Sequence, residues 1–171
     1  ADEKEKGVVS CSSGNHGRAV AHMAGTMGIP AAICVPNWVE PVKRAGMERS
    51  GAQVVLSGDT YDEAEARAHE ISETEGRTFI QPFDDPWIAA GQGTLGLELR
   101  DQVPGLRTLV IPLSGGGLAG GVAYALKEAR PEIRVVGVSA LNARVMYESL
   151  RAGKILTMEE EETLAEALSG G

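Results

Sequence analysis

Gly7-Val8-Val9-Ser10-Cys11-Ser12-Ser13-Gly14-Asn15-His16-Gly17 decides the fold. A short β-branched run closes on hydroxyl residues and two glycines. A pattern of helical length, from about Arg18 to Met27, follows at once. A strand that passes through a glycine turn into a helix is the opening of a βα unit. The same grammar recurs outward along the chain. Strand-like runs fall at residues 7–10, 31–35, 53–56, 78–80, 108–111 and 134–138, with segments of helical length and period between them. This alternation predicts parallel sheets with helices on their faces, a three-layer α/β architecture.

Local signals fix several helix starts. Thr60 with Glu63 has capping-box spacing, and Tyr61, Ala64, Ala68 and Ile71 then share one apolar face. Asp85 before Pro86 reads as an N-cap followed by proline at the first helical position. Thr157 with Glu160 repeats the box, which puts the acidic run from Glu159 to Glu162 in a first helical turn rather than at a metal. The Pro82-Phe83-Asp84-Asp85-Pro86 segment marks a boundary. A small α/β domain is predicted over 1–84 and part of a larger one over 85–171.

Composition narrows the function. The 171 residues are 43% hydrophobic and 23% charged, fractions that describe a globular chain with enough length to bury a core. Apolar runs such as Leu109-Val110-Ile111-Pro112-Leu113 fall short of the roughly 18 to 20 residues of a membrane helix. With 16 Lys plus Arg against 24 Asp plus Glu, the net charge of −8 argues against a nucleic-acid or anionic-membrane partner. Cys11 and Cys34 provide neither a disulfide framework nor a four-ligand zinc site, and point to a reduced, cytoplasmic setting. The chain does not begin with Met and stops at Gly170-Gly171, so it reads as a fragment.

Three motifs carry candidate chemistry. In the first turn, Ser12, Ser13 and Asn15 stand where hydroxyls and an amide reach an anionic ligand at a helix N-terminus. An ordinary capped turn is the plainer reading of the same residues, and His16 alone reads as a structural histidine. The second motif is Ser114-Gly115-Gly116-Gly117-Leu118-Ala119-Gly120, where three glycines leave bare backbone amides for a phosphate. Gly115, Gly117 and Gly120 also fit G-x-G-x-x-G, but the next strand ends Val138-Ser139-Ala140 without the carboxylate a nicotinamide dinucleotide wants. Arg144 leaves an NADP-like variant open. The third is Ala90-Gly91-Gln92-Gly93-Thr94, whose glycines imply either tight helix packing or close approach to a ligand. Cys11, beside the first turn, lies where a helix N-terminus lowers a thiol pKa, although no partner histidine can be assigned to it.

Taken in order, these motifs resemble the fold type II pyridoxal-phosphate enzymes, and within them the serine/threonine dehydratase and serine racemase family. The resemblance runs through Ser12-Ser13-Gly14-Asn15-His16-Gly17, Gly28-Ile29-Pro30, Gly51-Ala52, Pro82-Phe83-Asp84-Asp85-Pro86, Ala90-Gly91-Gln92-Gly93-Thr94 and the glycine loop. It implies pyridoxal 5′-phosphate as cofactor, with the backbone amides of Gly115, Gly116, Gly117 and Leu118 on its phosphate and Asn15 on the pyridine 3′-oxygen. Ser12 and Gly14 would bind the substrate carboxylate, and both turns would grip one cofactor molecule. Ser13 matches the hydroxyl that racemases use as acid/base, which leaves racemisation open beside dehydration. The implied reaction is β-elimination from L-threonine, L-serine or a related hydroxy amino acid, giving a keto acid and ammonia. The family is usually a homo-oligomer. The chain's ending and its Pro-Leu-Ser-Gly-Gly-Gly loop also resemble the hydroxyectoine-utilisation dehydratases.

The departures are specific. The family's Schiff-base lysine sits in a Ser-x-Lys-x-Arg segment, and Lys4, Lys6, Lys43, Lys127 and Lys154 all have other contexts. The chain alone is therefore expected to be inactive. The Ser or Cys that contacts the pyridine nitrogen has no match, and Ser114 replaces the first of four glycines. Ser139 and Arg144 fall where some racemases hold a divalent cation, so no metal is expected there.

Overall fold

The computed structural model describes residues 2–159 and 161–168. The chain divides into two compact units between Pro82 and Phe83.

In the first unit, β1 (Val8–Cys11), β2 (Ala31–Val35), β3 (Gln53–Leu56) and β4 (Thr78–Phe79) form one sheet in the order β3-β2-β1-β4. Every pairing is parallel, as the βα alternation requires. Strand residues alternate between two cores. Ile33 and Val35 face one way, with Ala21, Ala24 and Met47 of helices α2 (Asn15–Met27) and α3 (Pro41–Arg49). Val9, Cys11, Ala32 and Cys34 face the other, with Ala64, Ala68 and Ile71 of α4 (Tyr61–Glu75). A sheet buried on both faces explains why these strands read as unbroken apolar runs. Most of the helix residues in those cores are alanines, so the helices can approach the sheet closely.

The predicted helix starts at Thr60 and Asp85 are met, and a glycine ends α2. Thr60 Oγ1 accepts from Glu63 N at 3.2 Å, while the Glu63 carboxylate accepts from Thr60 N at 3.2 Å and Asp59 N at 2.7 Å. Gly28 ends α2 in the left-handed conformation at φ 65°, and Ile29 N reaches back to Ala24 O at 2.8 Å. Asp85 Oδ1 accepts from Trp87 N at 2.7 Å and Ile88 N at 3.1 Å, starting α5 (Pro86–Gln102) of the second unit.

That second unit pairs β5 (Thr108–Pro112) with β6 (Arg134–Val138), again in parallel. Ile111, Val122, Leu126 and Ile133 form its core, built on α6 (Gly117–Ala129). Helix α7 (Val145–Ala152) follows β6. Helices α5 and α6 meet through small residues. A Cβ on Gly96 would lie 2.9 Å from Val122 O, and one on Gly93 would lie 3.2 Å from Gly121 O. Packing therefore accounts for Gly93, whereas a Cβ on Gly91 would meet nothing within 4 Å.

Ahead of β1, the charged residues 2–6 form a short helix, α1 (Asp2–Lys6), whose end is tied by Gly7 N to Glu3 O at 3.0 Å. Two sequence expectations need correction. Helix α2 begins at Asn15 rather than near Arg18, because Gly17 folds its backbone against the Ser12 carbonyl, where a side chain would collide. No helix starts at Thr157. Residues 157–159 and 161–165 are not helical, and a single 3-10 turn follows at Glu166–Leu168. Ile155 and Leu164 are exposed, and an isolated helix without a packed apolar face is marginal. The capping partner Glu160 lies outside the described residues. Among the described residues, no helix is long and apolar enough to cross a membrane.

Candidate active site

Two strand-to-helix turns, one in each unit, hold the residues that the sequence singled out. The first runs from the end of β1 into α2. Ser12, Ser13 and Gly14 form the bend, and Asn15 is the first, exposed residue of the helix. Ser12 Oγ accepts from Gly14 N at 3.2 Å, which leaves its own proton to donate. The Ser13 hydroxyl and the Asn15 amide have no protein partner among the described residues. Gly14 caps α2 without a side-chain hydrogen bond. The first N–H donors of the helix therefore have no acceptor among the described residues, beside two unengaged polar side chains.

The second turn runs from β5 into α6. Gly116 adopts φ 90°, a conformation that L side chains rarely reach, and caps α6 with no side-chain hydrogen bond. The N–H groups of Gly115, Gly116, Gly117 and Leu118 have no acceptor among the described residues. Uncapped donors together with the helix dipole make a site for an anion. The loop is also pressed onto Phe83. A Cβ on Gly115 would strike the Phe83 ring, and one on Gly117 would lie 2.8 Å from the Phe83 Cα and carbonyl oxygen. The glycines thus have two causes: the backbone of Gly116 and the floor that Phe83 makes beneath its neighbours. Sequence reasoning saw only bare amides. The signal for the floor was the aromatic residue inside the Pro82–Pro86 motif.

Thiol chemistry finds no support. Cys11 and Cys34 are fully buried and lie opposite each other in the β1–β2 register. Burial pushes the Cys11 thiol far up, the reverse of the expected lowering, and pushes Cys34 up to about 11. The Cys11 side chain points into the α4-side core instead of toward the turn. The histidines are dispersed: His69 stacks on Phe79 with ring centres 4.1 Å apart, and His16 bonds Ser10. At the position weighed for a metal, Ser139 Oγ donates to Leu113 O at 2.7 Å and Arg144 pairs with Glu148 at 3.5 Å. Among the described residues, no group of three or more His, Cys, Asp or Glu stands ready to hold a metal ion.

A family profile described as pyridoxal-phosphate dependent enzyme matches residues 1–171. The chain belongs to this family. It is 42% identical over 168 residues to the L-threonine ammonia-lyase of Thermotoga maritima, an alignment covering 98% of this chain and 42% of that protein. The L-threonine dehydratase catabolic TdcB of Escherichia coli is 42% identical over 164 residues, covering 96% of this chain and 50% of its own. Among solved structures, maize serine racemase superposes with a TM-score of 0.90 at 37% identity, covering 98% of this chain and 51% of that one. The chain thus spans half or less of the length of these curated relatives. Membership favours the pyridoxal-phosphate reading over the dinucleotide reading that Gly115, Gly117 and Gly120 left open. The open donors of the second turn suit a phosphate, so the residues present fit the family's cofactor.

Proposed function

We propose that the protein containing this chain is an amino-acid ammonia-lyase that deaminates L-threonine, L-serine or a related hydroxy amino acid to a keto acid and ammonia. The observation that carries this reading is similarity to threonine ammonia-lyases over nearly the whole chain, both glycine turns included. In this reading the amides of Gly115, Gly116, Gly117 and Leu118 hold the cofactor phosphate, and Asn15 donates to the pyridine 3′-oxygen. Ser12 and Gly14 bind the substrate carboxylate at the start of α2, where the helix dipole favours negative charge. Bound pyridoxal phosphate supplies an electron sink for the charge left when the α-proton departs, and the protein supplies orientation and acid/base groups.

The chain's own part is to bind and orient. None of its lysines lies in a Ser-x-Lys-x-Arg segment, and Lys127, for one, is spent on the Pro131 carbonyl at 3.2 Å. The 171-residue chain alone is therefore expected to release no keto acid from L-threonine. Two domains, a small one over 1–84 and part of a larger one over 85–171, a homo-oligomeric assembly and a cytoplasmic setting complete the proposal. Expressing the full open reading frame and assaying 2-oxobutanoate from L-threonine tests it. Loading with cofactor but no keto acid from any hydroxy amino acid would refute the lyase reading.

Racemisation is a second reading, favoured by Ser13. Its hydroxyl has no protein partner among the described residues and is free to exchange a proton with a substrate. Conversion of L-serine to D-serine by the same preparation distinguishes this activity from elimination.

A further inference from the structure

Ser10 is the one polar residue among the buried side chains of the first unit's sheet, with no exposed surface. Its hydroxyl donates to Ile80 O at 2.7 Å and lies 3.1 Å from His16 Nε2. A serine hydroxyl has one proton. With that proton given to Ile80, Ser10 Oγ can only accept from the imidazole, so Nε2 carries the ring proton and Nδ1 is left with a lone pair. Ser10 is the strand residue two places before the turn, and His16 is in the first helical turn beyond it. Their hydrogen bond closes the base of the loop that presents Ser12, Ser13, Gly14 and Asn15. Ile80, just past β4, fastens that closure to the neighbouring strand end, since its own N–H donates to Val9 O of β1 at 2.8 Å.

We propose that His16, held as the Nε2–H tautomer by Ser10, is a positioning residue that fixes the residue 12–15 turn for its ligand. This rests on the cofactor and carboxylate assignments proposed above for that turn. His16 itself touches neither ligand in this scheme. It acts by joining the two ends of the loop, so Asn15 and the free donors of α2 keep one geometry before anything binds. Burial also holds the ring below its ordinary value of 6.5, with the Ile80 carbonyl as the opposing influence and no charged side chain contributing. The ring is therefore neutral at pH 7. As pH falls below about 6.5, the unfolded chain takes up this proton more readily than the folded one, and the loop loses stability.

Two measurements on the whole 171-residue chain test the proposal. The first reads the ring nitrogens of His16 by long-range nitrogen–proton NMR, together with the backbone amide shifts of residues 12–15. The second titrates pyridoxine 5′-phosphate, which lacks the aldehyde and so cannot react with surface lysines. The wild-type chain is expected to show a single Nε2–H tautomer that titrates below 6.5. His16→Ala is expected to shift the turn amides and weaken pyridoxine phosphate binding about tenfold, the equivalent of one net hydrogen bond. His16→Gln keeps a donor within reach of Ser10 and is expected to restore most of the turn shifts and affinity. Ser10→Ala is expected to release the tautomer preference without touching the turn directly. An Nδ1–H or mixed ring in the wild type, or unmoved turn amides in His16→Ala, would overturn the proposal. If wild-type ring and turn behave as expected but pyridoxine phosphate does not bind, the positioning of the turn stands and the cofactor assignment falls.

Discussion

Helices α4 and α5 begin in one way, and helices α2 and α6 in another. Thr60 and Glu63 close a reciprocal capping box on α4, and Asp85 accepts two backbone N–H bonds at the start of α5. The protein has satisfied those donors itself. Helices α2 and α6 start on Gly14 and Gly116, with no side-chain cap, directly after a strand. Helices α3 and α7 also lack a side-chain cap, but α3 opens with Pro41, which has no N–H to satisfy, and neither follows a glycine turn out of a strand. Orphan donors at a helix start need a partner. Where the chain supplies one, the helix start is architecture; where a glycine turn withholds one, the start is open to the ligand proposed above.

The contrast breaks most violently if the second turn is filled. Gly115→Ala drives a Cβ into the Phe83 ring, and overpacking of this kind costs on the order of 3 kcal/mol at its upper range. Urea unfolding is expected to show that loss along with loss of pyridoxine phosphate binding. Because the obstruction is the ring, Phe83→Ala is expected to make the second substitution less costly, so the double variant falls short of additivity. Full additivity would mean that Phe83 does not form the floor.

Asp85→Ala comes next. It removes an acceptor from two N–H groups and is expected to cost about 1–2 kcal/mol in the urea midpoint. Pyridoxine phosphate affinity, corrected for the folded fraction, is expected to stay unchanged. Thr60→Ala removes a single bond from its box and is expected to cost about 1 kcal/mol. Its partner Glu63 adds a pH signature. The Asp59 and Thr60 backbone N–H groups hold the Glu63 carboxyl below its ordinary value of 4.5. Its contribution is therefore complete above pH 4.5 and fades as pH drops through the lowered value. Glu63→Gln is expected to flatten that part of the stability profile, which acid titration followed by circular dichroism checks.

The two kinds of helix start were unequally legible. Thr60, Glu63 and Asp85 act within three residues of themselves, so spacing alone revealed them. The glycine turns were legible as motifs, but their reasons were not. Phe83 lies 32 residues from Gly115, and Ile80 lies 70 residues from Ser10, distances that only the fold brings to contact. The glycines of α5 show the same limit. Gly93 is explained by Gly121 of another helix, which sequence spacing cannot pair with it. The segment after Thr157 failed in the opposite sense. Its capping pattern was locally sound, but exposed Ile155 and Leu164 offer no packed face to make a helix worth its entropy.

Ser13 and Asn15 give the smallest expected change in stability and the sharpest test of the contrast. Neither side chain has a protein partner among the described residues, so Ser13→Ala and Asn15→Ala should each move the unfolding free energy by less than about 0.5 kcal/mol. Their effects belong to ligand and reaction instead. Asn15→Ala is expected to weaken pyridoxine phosphate binding through loss of the proposed bond to the 3′-oxygen. In the full open reading frame, Ser13→Ala is expected to lower D-serine formation from L-serine while keto acid release continues, because elimination does not need an acid on the second ring face. Chiral chromatography and a keto acid assay on one reaction mixture read both. A stability loss in either variant as large as that of Asp85→Ala would show that the first turn, like α5, spends its polar side chains on the fold, and the distinction between the two kinds of helix start would then fail at α2.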